Sequence, residues 1–162
     1  MIIIGLDPGI NNTGWAVIRL DKSNNIECLG GGTISNSSKL DLYEKLYQIF
    51  IQLQKVISIY NPNEAAIEKI FINSNPQSSL TLGYARGVAM LALKTHHLSI
   101  FEYNPNHIKK SITGYGHATK QQMIFMVHQI VKGWNVACHH ACDALATAIC
   151  HVYHHPINEK KM

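Results

Sequence analysis

The chain has 162 residues, of which 46% are hydrophobic and 15% charged, against roughly 25% charged in an average globular protein. That length and apolarity suffice for one hydrophobic core and exclude wholesale disorder. The formal charge of +4 is uneven: residues 1–60 carry five basic and five acidic side chains, residues 61–162 nine basic and five acidic. An anionic partner is therefore expected against the second half.

The apolar start, Met1 to Leu6, has no basic segment before it and meets Asp7 at once. It reads as a strand, not a secretion signal or a membrane span, so the expected setting is cytoplasmic with no membrane partner. Pro8-Gly9 forces a turn. Trp15, Val17 and Leu20 mark a second strand, Ser23-Asn24-Asn25 a second turn, and Ile26 to Ile34 a third strand whose Gly30-Gly31-Gly32 suggests a bulge. Leu42, Leu46, Ile49, Phe50, Leu53 and Ile57 then recur at helical spacing until Asn61-Pro62. Ala65 to Ile70 is a fourth strand. Ser78 to about Lys94 is a helix apolar over most of its surface, in which Gly83 and Gly87, one turn apart, permit close backbone approach. Leu98 to Tyr103 is a fifth strand, Asn106 to Ile112 a short helix, Thr119 to Lys132 an amphipathic helix, and His140 to about Tyr153 a last one. Three meandering strands followed by alternating helices and strands predict an α/β fold. Its mixed sheet is antiparallel through the meander, parallel through the βαβ part, and flanked by helices. Residues 1–155 form the expected domain, and 156–162 a polar, mobile tail.

Four cysteines do not make a disulfide scaffold in a chain of this length without an export signal. Cys138, Cys142 and Cys150 lie close in sequence to His139, His140 and His151, but no CxxC pair accompanies them. The zinc signal is weak, and thiols packed along a buried helix face are the expected arrangement. The remaining histidines, such as the pairs His96–His97 and His154–His155, read as a solvated polar surface.

Three acidic residues stand where carboxylates are costly. Asp7 ends the first strand, Glu68 ends the fourth at Ala66-Ile67-Glu68, and Asp143 interrupts the apolar run from Ala141 to Ala146. Each has a structural alternative: a turn former before Pro8, a strand end paired with Lys69, and a residue complementing a helix dipole. Together they match what magnesium or manganese requires. Two such ions about 3.5–4 Å apart form the clamp used in phosphodiester hydrolysis.

Ile3-Ile4-Gly5-Leu6-Asp7-Pro8-Gly9, Thr13-Gly14, Ala66-Ile67-Glu68-Lys69-Ile70-Phe71, Leu82 to Ala89, Phe101-Glu102-Tyr103, Gly114 to Lys120 and Asp143-Ala144-Leu145-Ala146 closely resemble the bacterial RuvC Holliday junction resolvases. The match is collinear from Met1 to about Tyr153. The resemblance implies an RNase H-like fold and a homodimeric, divalent-metal-dependent endonuclease of DNA recombination and repair, with two magnesium ions expected per site and manganese able to substitute. It further implies symmetric nicking of four-way DNA junctions and docking of the RuvA–RuvB branch-migration complex. Asp7, Glu68 and Asp143 match three of the family's four catalytic, metal-binding positions. His140 falls on the fourth, where many members have Asp. Three residues before Asp143, it shares that residue's helix face, as a ligand favouring manganese or as a proton shuttle. Phe71 matches an aromatic that inserts at the junction centre, Lys109 and Lys120 match positions near the scissile phosphate, and Tyr115 lies in a flexible loop able to approach the DNA backbone. Arg86 is read as serving the dimer rather than DNA.

Three other functions share parts of this pattern. A strand ending in Asp-x-Gly also opens two-lobed sugar-kinase-type ATPases, for whose second lobe 162 residues leave no room. An RNase H-like nuclease acting on RNA would use the same carboxylates. A junction-binding module without catalysis would account for His140 in place of a carboxylate.

Overall fold

The computed structural model describes residues 1–70, 75–134 and 138–155. Five strands, β1 (Ile2–Asp7), β2 (Asn12–Leu20), β3 (Ile26–Ser35), β4 (Glu64–Glu68) and β5 (Ser99–Tyr103), form one sheet in the order β3-β2-β1-β4-β5. β1 pairs antiparallel with β2 and parallel with β4, and β4 pairs parallel with β5. The register slips between Val17 and Ile18, which face Gly30 and Cys28, so Leu29 is the extra residue of a bulge beside the glycine triplet. The mixed sheet is thus the one its residue pattern predicts, although β4 stops at Glu68 rather than Ile70.

Helices cover both faces. α1 (Leu42–Tyr60) and α2 (Pro76–Thr95) lie on one side, and α3 (Pro105–Thr113), α4 (Lys120–Ile130) and α5 (His139–His154) on the other. Strand parity divides the core between them. In β1, Ile4 and Leu6 pack with α1 and α2, while Ile3 packs with α5 and its neighbours. In β4, Ala65 and Ile67 join the α1–α2 cluster, whereas Glu64 reaches the α5 residue His151. Asp7 and Glu68 keep step with Ile3 and Glu64, so both terminal carboxylates emerge on the α5 face.

Local chemistry sets the helix ends. Asp41 caps α1 by accepting from the Glu44 amide at 2.8 Å, and Asn61 ends it in the left-handed region at φ 45°. Thr119 and Gln122 form a reciprocal capping box at the start of α4, which fixes the position of Lys120.

α2 departs from two expectations. Nothing lies within 4 Å of a Cβ built on Gly83 or Gly87, so neither glycine serves close packing within the chain. Arg86, expected to serve a dimer, turns inward and donates to Glu102 at 2.7 Å, tying α2 to β5. His151, near the end of α5, is fully buried between Glu64 and Tyr103. Among the described residues no helix is long and apolar enough to cross a membrane. Phe71 and residues 156–162 lie outside the described residues.

Candidate active site

Two glycines bring α5 onto the sheet. A Cβ on Gly5 would collide with the Ala144 carbonyl oxygen, and one on Gly14 with the His140 carbonyl oxygen. Both positions therefore exclude any side chain. The small residues Ala141, Ala144 and Ala148 complete the close contact from the helix side and are fully buried. As a result the first turns of α5 lie over the carboxyl ends of β1 and β4, where ligands gather in open α/β sheets.

Asp7, His140 and Asp143 offer ligand atoms that all lie within 4.8 Å of one another. The His140 Nδ1 is 3.3 Å from the Asp7 Oδ2, and the Lys120 Nζ is 3.2 Å from the Asp143 Oδ2. Glu68 stands just outside this trio. It lines a cleft of about 280 Å³ with Asp143, Lys109 and Lys120, and a neighbouring depression with Asp7 and Pro8. Thr13, fully buried, braces the turn after Asp7: its hydroxyl donates to the Gly9 carbonyl at 2.8 Å.

This arrangement is electrostatically incomplete. Burial, reinforced by Asp7 and Asp143, pushes the Glu68 carboxyl up to about 7. Burial also raises Asp7; the His140 hydrogen bond opposes that rise and the Asp143 charge adds to it. Among the described residues, the ion pair these carboxylates make with lysine or arginine is Lys120–Asp143, while Asp7 has the His140 Nδ1 at 3.3 Å, too little to neutralise three carboxylates. Oxygen-rich donors with one imidazole fit a hard or borderline divalent cation, and such an ion would remove the repulsion that raises Glu68.

Most of the expected site thus converges: Asp7, Glu68, His140, Asp143, Lys109 and Lys120. Tyr115 does not join it. Tyr115 is 61% exposed and lines a separate depression with Phe125 and Met126. The roles of Gly5 and Gly14 in admitting α5 were not read from the sequence. Their only local signal was a glycine interrupting each strand, which marks close backbone approach.

Residues 3–151 match the family model described as crossover junction endodeoxyribonuclease RuvC. The protein of that name from Wolbachia sp. subsp. Drosophila simulans (strain wRi) is 68% identical over 151 residues, which cover 93% of each chain. The Thermus thermophilus RuvC structure is similar with a TM-score of 0.83 at 26% identity, covering 94% of both chains. T. thermophilus RuvC in complex with a Holliday junction substrate gives a TM-score of 0.85 at 26% identity, covering 94% of this chain and 93% of that one.

Proposed function

The chain belongs to the crossover junction endodeoxyribonuclease RuvC family, and from that membership we propose that it resolves four-way DNA junctions at a divalent-metal site formed by Asp7, Glu68, His140 and Asp143. The observation that carries this reading is the meeting of Asp7, Asp143 and the His140 imidazole next to a cleft that Glu68 lines with Lys109 and Lys120. Bound divalent cations would supply activation of water and neutralisation of the charge that develops on the phosphodiester, with magnesium or manganese the expected ion.

The chain's own residues do the rest. Asp7 and Glu68, fixed at the ends of paired parallel strands, hold two corners of the site on a rigid base. His140 and Asp143 approach from α5 and close it from above. Lys109 and Lys120 draw a backbone phosphate into the cleft, and Lys120, held in place by the capping box, is free for that phosphate once a cation takes over Asp143. His140 acts as a ligand, bringing a nitrogen where a carboxylate would bring further charge. Phe71, by its match to the family pattern, is assigned to the junction centre, and Tyr115, which lines a separate depression, to the DNA backbone. Replacing Asp7 by Asn should leave junction binding intact while reducing nicking at least 100-fold. Nicking at the wild-type rate would overturn this assignment.

Four-way junctions present paired scissile strands, so the active unit is a homodimer. Support for it comes from α2, where Leu80, Gly83, Tyr84, Gly87 and Leu91 form one stripe at helical spacing. Leu80, Tyr84 and Leu91 are 49%, 42% and 57% exposed in the single chain, and the glycines between them leave room for a second backbone.

A further inference from the structure

We propose a second metal site, away from the nuclease site, in which His107 of α3 and Cys150 and His154 of α5 bind a zinc-class divalent ion. The ligand atoms of these three residues all lie within 4.8 Å of one another. Cys150 and His154 are one helical turn apart on α5, and His107 faces them across the α3–α5 contact. Sequence spacing gave only a weak zinc signal, at Cys138, Cys142 and Cys150 with His139, His140 and His151. The fold instead pairs Cys150 with a histidine 43 residues before it.

The donor set discriminates between metals. One sulfur and two imidazole nitrogens suit zinc and its borderline neighbours, whereas magnesium and calcium prefer oxygen. A tetrahedral zinc site places such donors roughly 3.3–3.6 Å apart, given bonds of 2.0–2.1 Å to nitrogen and 2.3 Å to sulfur. Cys150 is fully buried while both histidines are exposed, so the thiol forms the floor of the site and the ion enters from solvent between two imidazoles.

Ring contacts hold the two imidazoles beside one another. The His107 and His154 rings stand 4.2 Å apart by centroid, and Tyr103 stacks on His107 at 6.2 Å and 17°, fixing its plane. The Ser111 hydroxyl lies 2.7 Å from the His154 Nε2 and 3.3 Å from the Cys150 Sγ. The same hydroxyl donates to the His107 carbonyl at 2.8 Å; an ion entering between the imidazoles would replace it beside Nε2 and Sγ, and a water would complete the coordination. On binding, Cys150 releases its thiol proton to solvent and the two imidazoles enter neutral. The ion would clamp α3 to α5, and with α3 the wall of the cleft that carries Lys109.

The test is a cobalt titration of the full-length, reduced, metal-stripped protein, followed by absorbance. A thiolate-to-cobalt charge-transfer band should grow to one equivalent per chain, disappear on addition of zinc, and persist in Asp143→Asn, which weakens the nuclease site alone. Cys150→Ser should abolish the band. The surface variants His107→Ala and His154→Ala, which leave the buried thiol in place, should each weaken binding by about 100-fold. Saturating cobalt without a thiolate band in the wild-type protein would overturn the proposal. So would a band that survives Cys150→Ser, or wild-type affinity in both histidine variants.

Discussion

Replacing Glu68 by Gln preserves its size and removes the charge that the fold tolerates least. In the metal-free protein, burial first, then Asp7 and Asp143, lift this carboxyl from 4.5 to about 7. The folded chain therefore holds the proton more tightly than the unfolded chain. The associated stability is fully present below pH 4.5 and is lost as the pH rises through about 7. At 1.36 kcal/mol per pH unit that interval corresponds to about 3 kcal/mol, and the side chain's partial solvent access reduces it to roughly 2 kcal/mol. A chain of this size melts about 2–4 °C higher per kcal/mol. Chelator-treated Glu68→Gln should therefore melt about 4–8 °C above wild type at pH 8 and at the same temperature as wild type near pH 4.5. Thermal melts followed by circular dichroism at the two pH values measure this difference. Added manganese should reverse the order at pH 8, because only the wild-type site gains its full complement of ligands. A variant no more stable than wild type at pH 8, with an unchanged pH dependence, would refute the reasoning that these carboxylates are held together at a cost.

Three further outcomes are expected. His140→Asp should retain nicking and reduce any preference for manganese over magnesium. It should also lower metal-free stability by placing a further carboxylate 3 to 4 Å from Asp7, near the present His140 contact of 3.3 Å. Loss of nicking in both metals would overturn the reading of His140 as a simple ligand. Gly14→Ala should destabilise the protein by about 1–3 kcal/mol in urea titrations and reduce nicking far more than stability, since the collision with the His140 carbonyl displaces the arm of the site carried by α5. Leu91→Glu, at an exposed position of α2, should convert a dimer to monomers in sedimentation analysis without changing the far-ultraviolet spectrum; an unaltered dimer would remove α2 from the interface.

Much of this architecture is legible in the residue pattern because its signals are local. The run Ile2 to Leu6 is apolar on both faces and proves to be a central strand with Ile3, Ile4 and Leu6 fully buried. Asn61-Pro62 ends α1 where a left-handed residue is needed. The alternation of strand side chains then carries Asp7 and Glu68 to one face. What could not be read depends on contacts between distant segments. Gly5 and Gly14 look like weak points of their strands until α5 is seen to rest on them. Gly83 and Gly87 look like packing points, yet within the chain they face open space. His151 belongs to a histidine-rich helix end, and only the approach of Glu64 and Tyr103 makes it a buried, doubly bonded residue. The pairing of His107 with Cys150 and His154 likewise arises from the packing of α3 on α5 and leaves no trace in spacing along the chain.

The most direct measurement uses an end-labelled synthetic four-way junction, set beside a linear duplex of the same sequence and an RNA–DNA hybrid, with magnesium or manganese. The wild-type chain should introduce paired nicks at symmetric positions in opposing strands of the junction alone, and none after chelation. Cleavage of the hybrid in preference to the junction, or tight junction binding with no nick in either metal, would contradict resolution of junctions as its function.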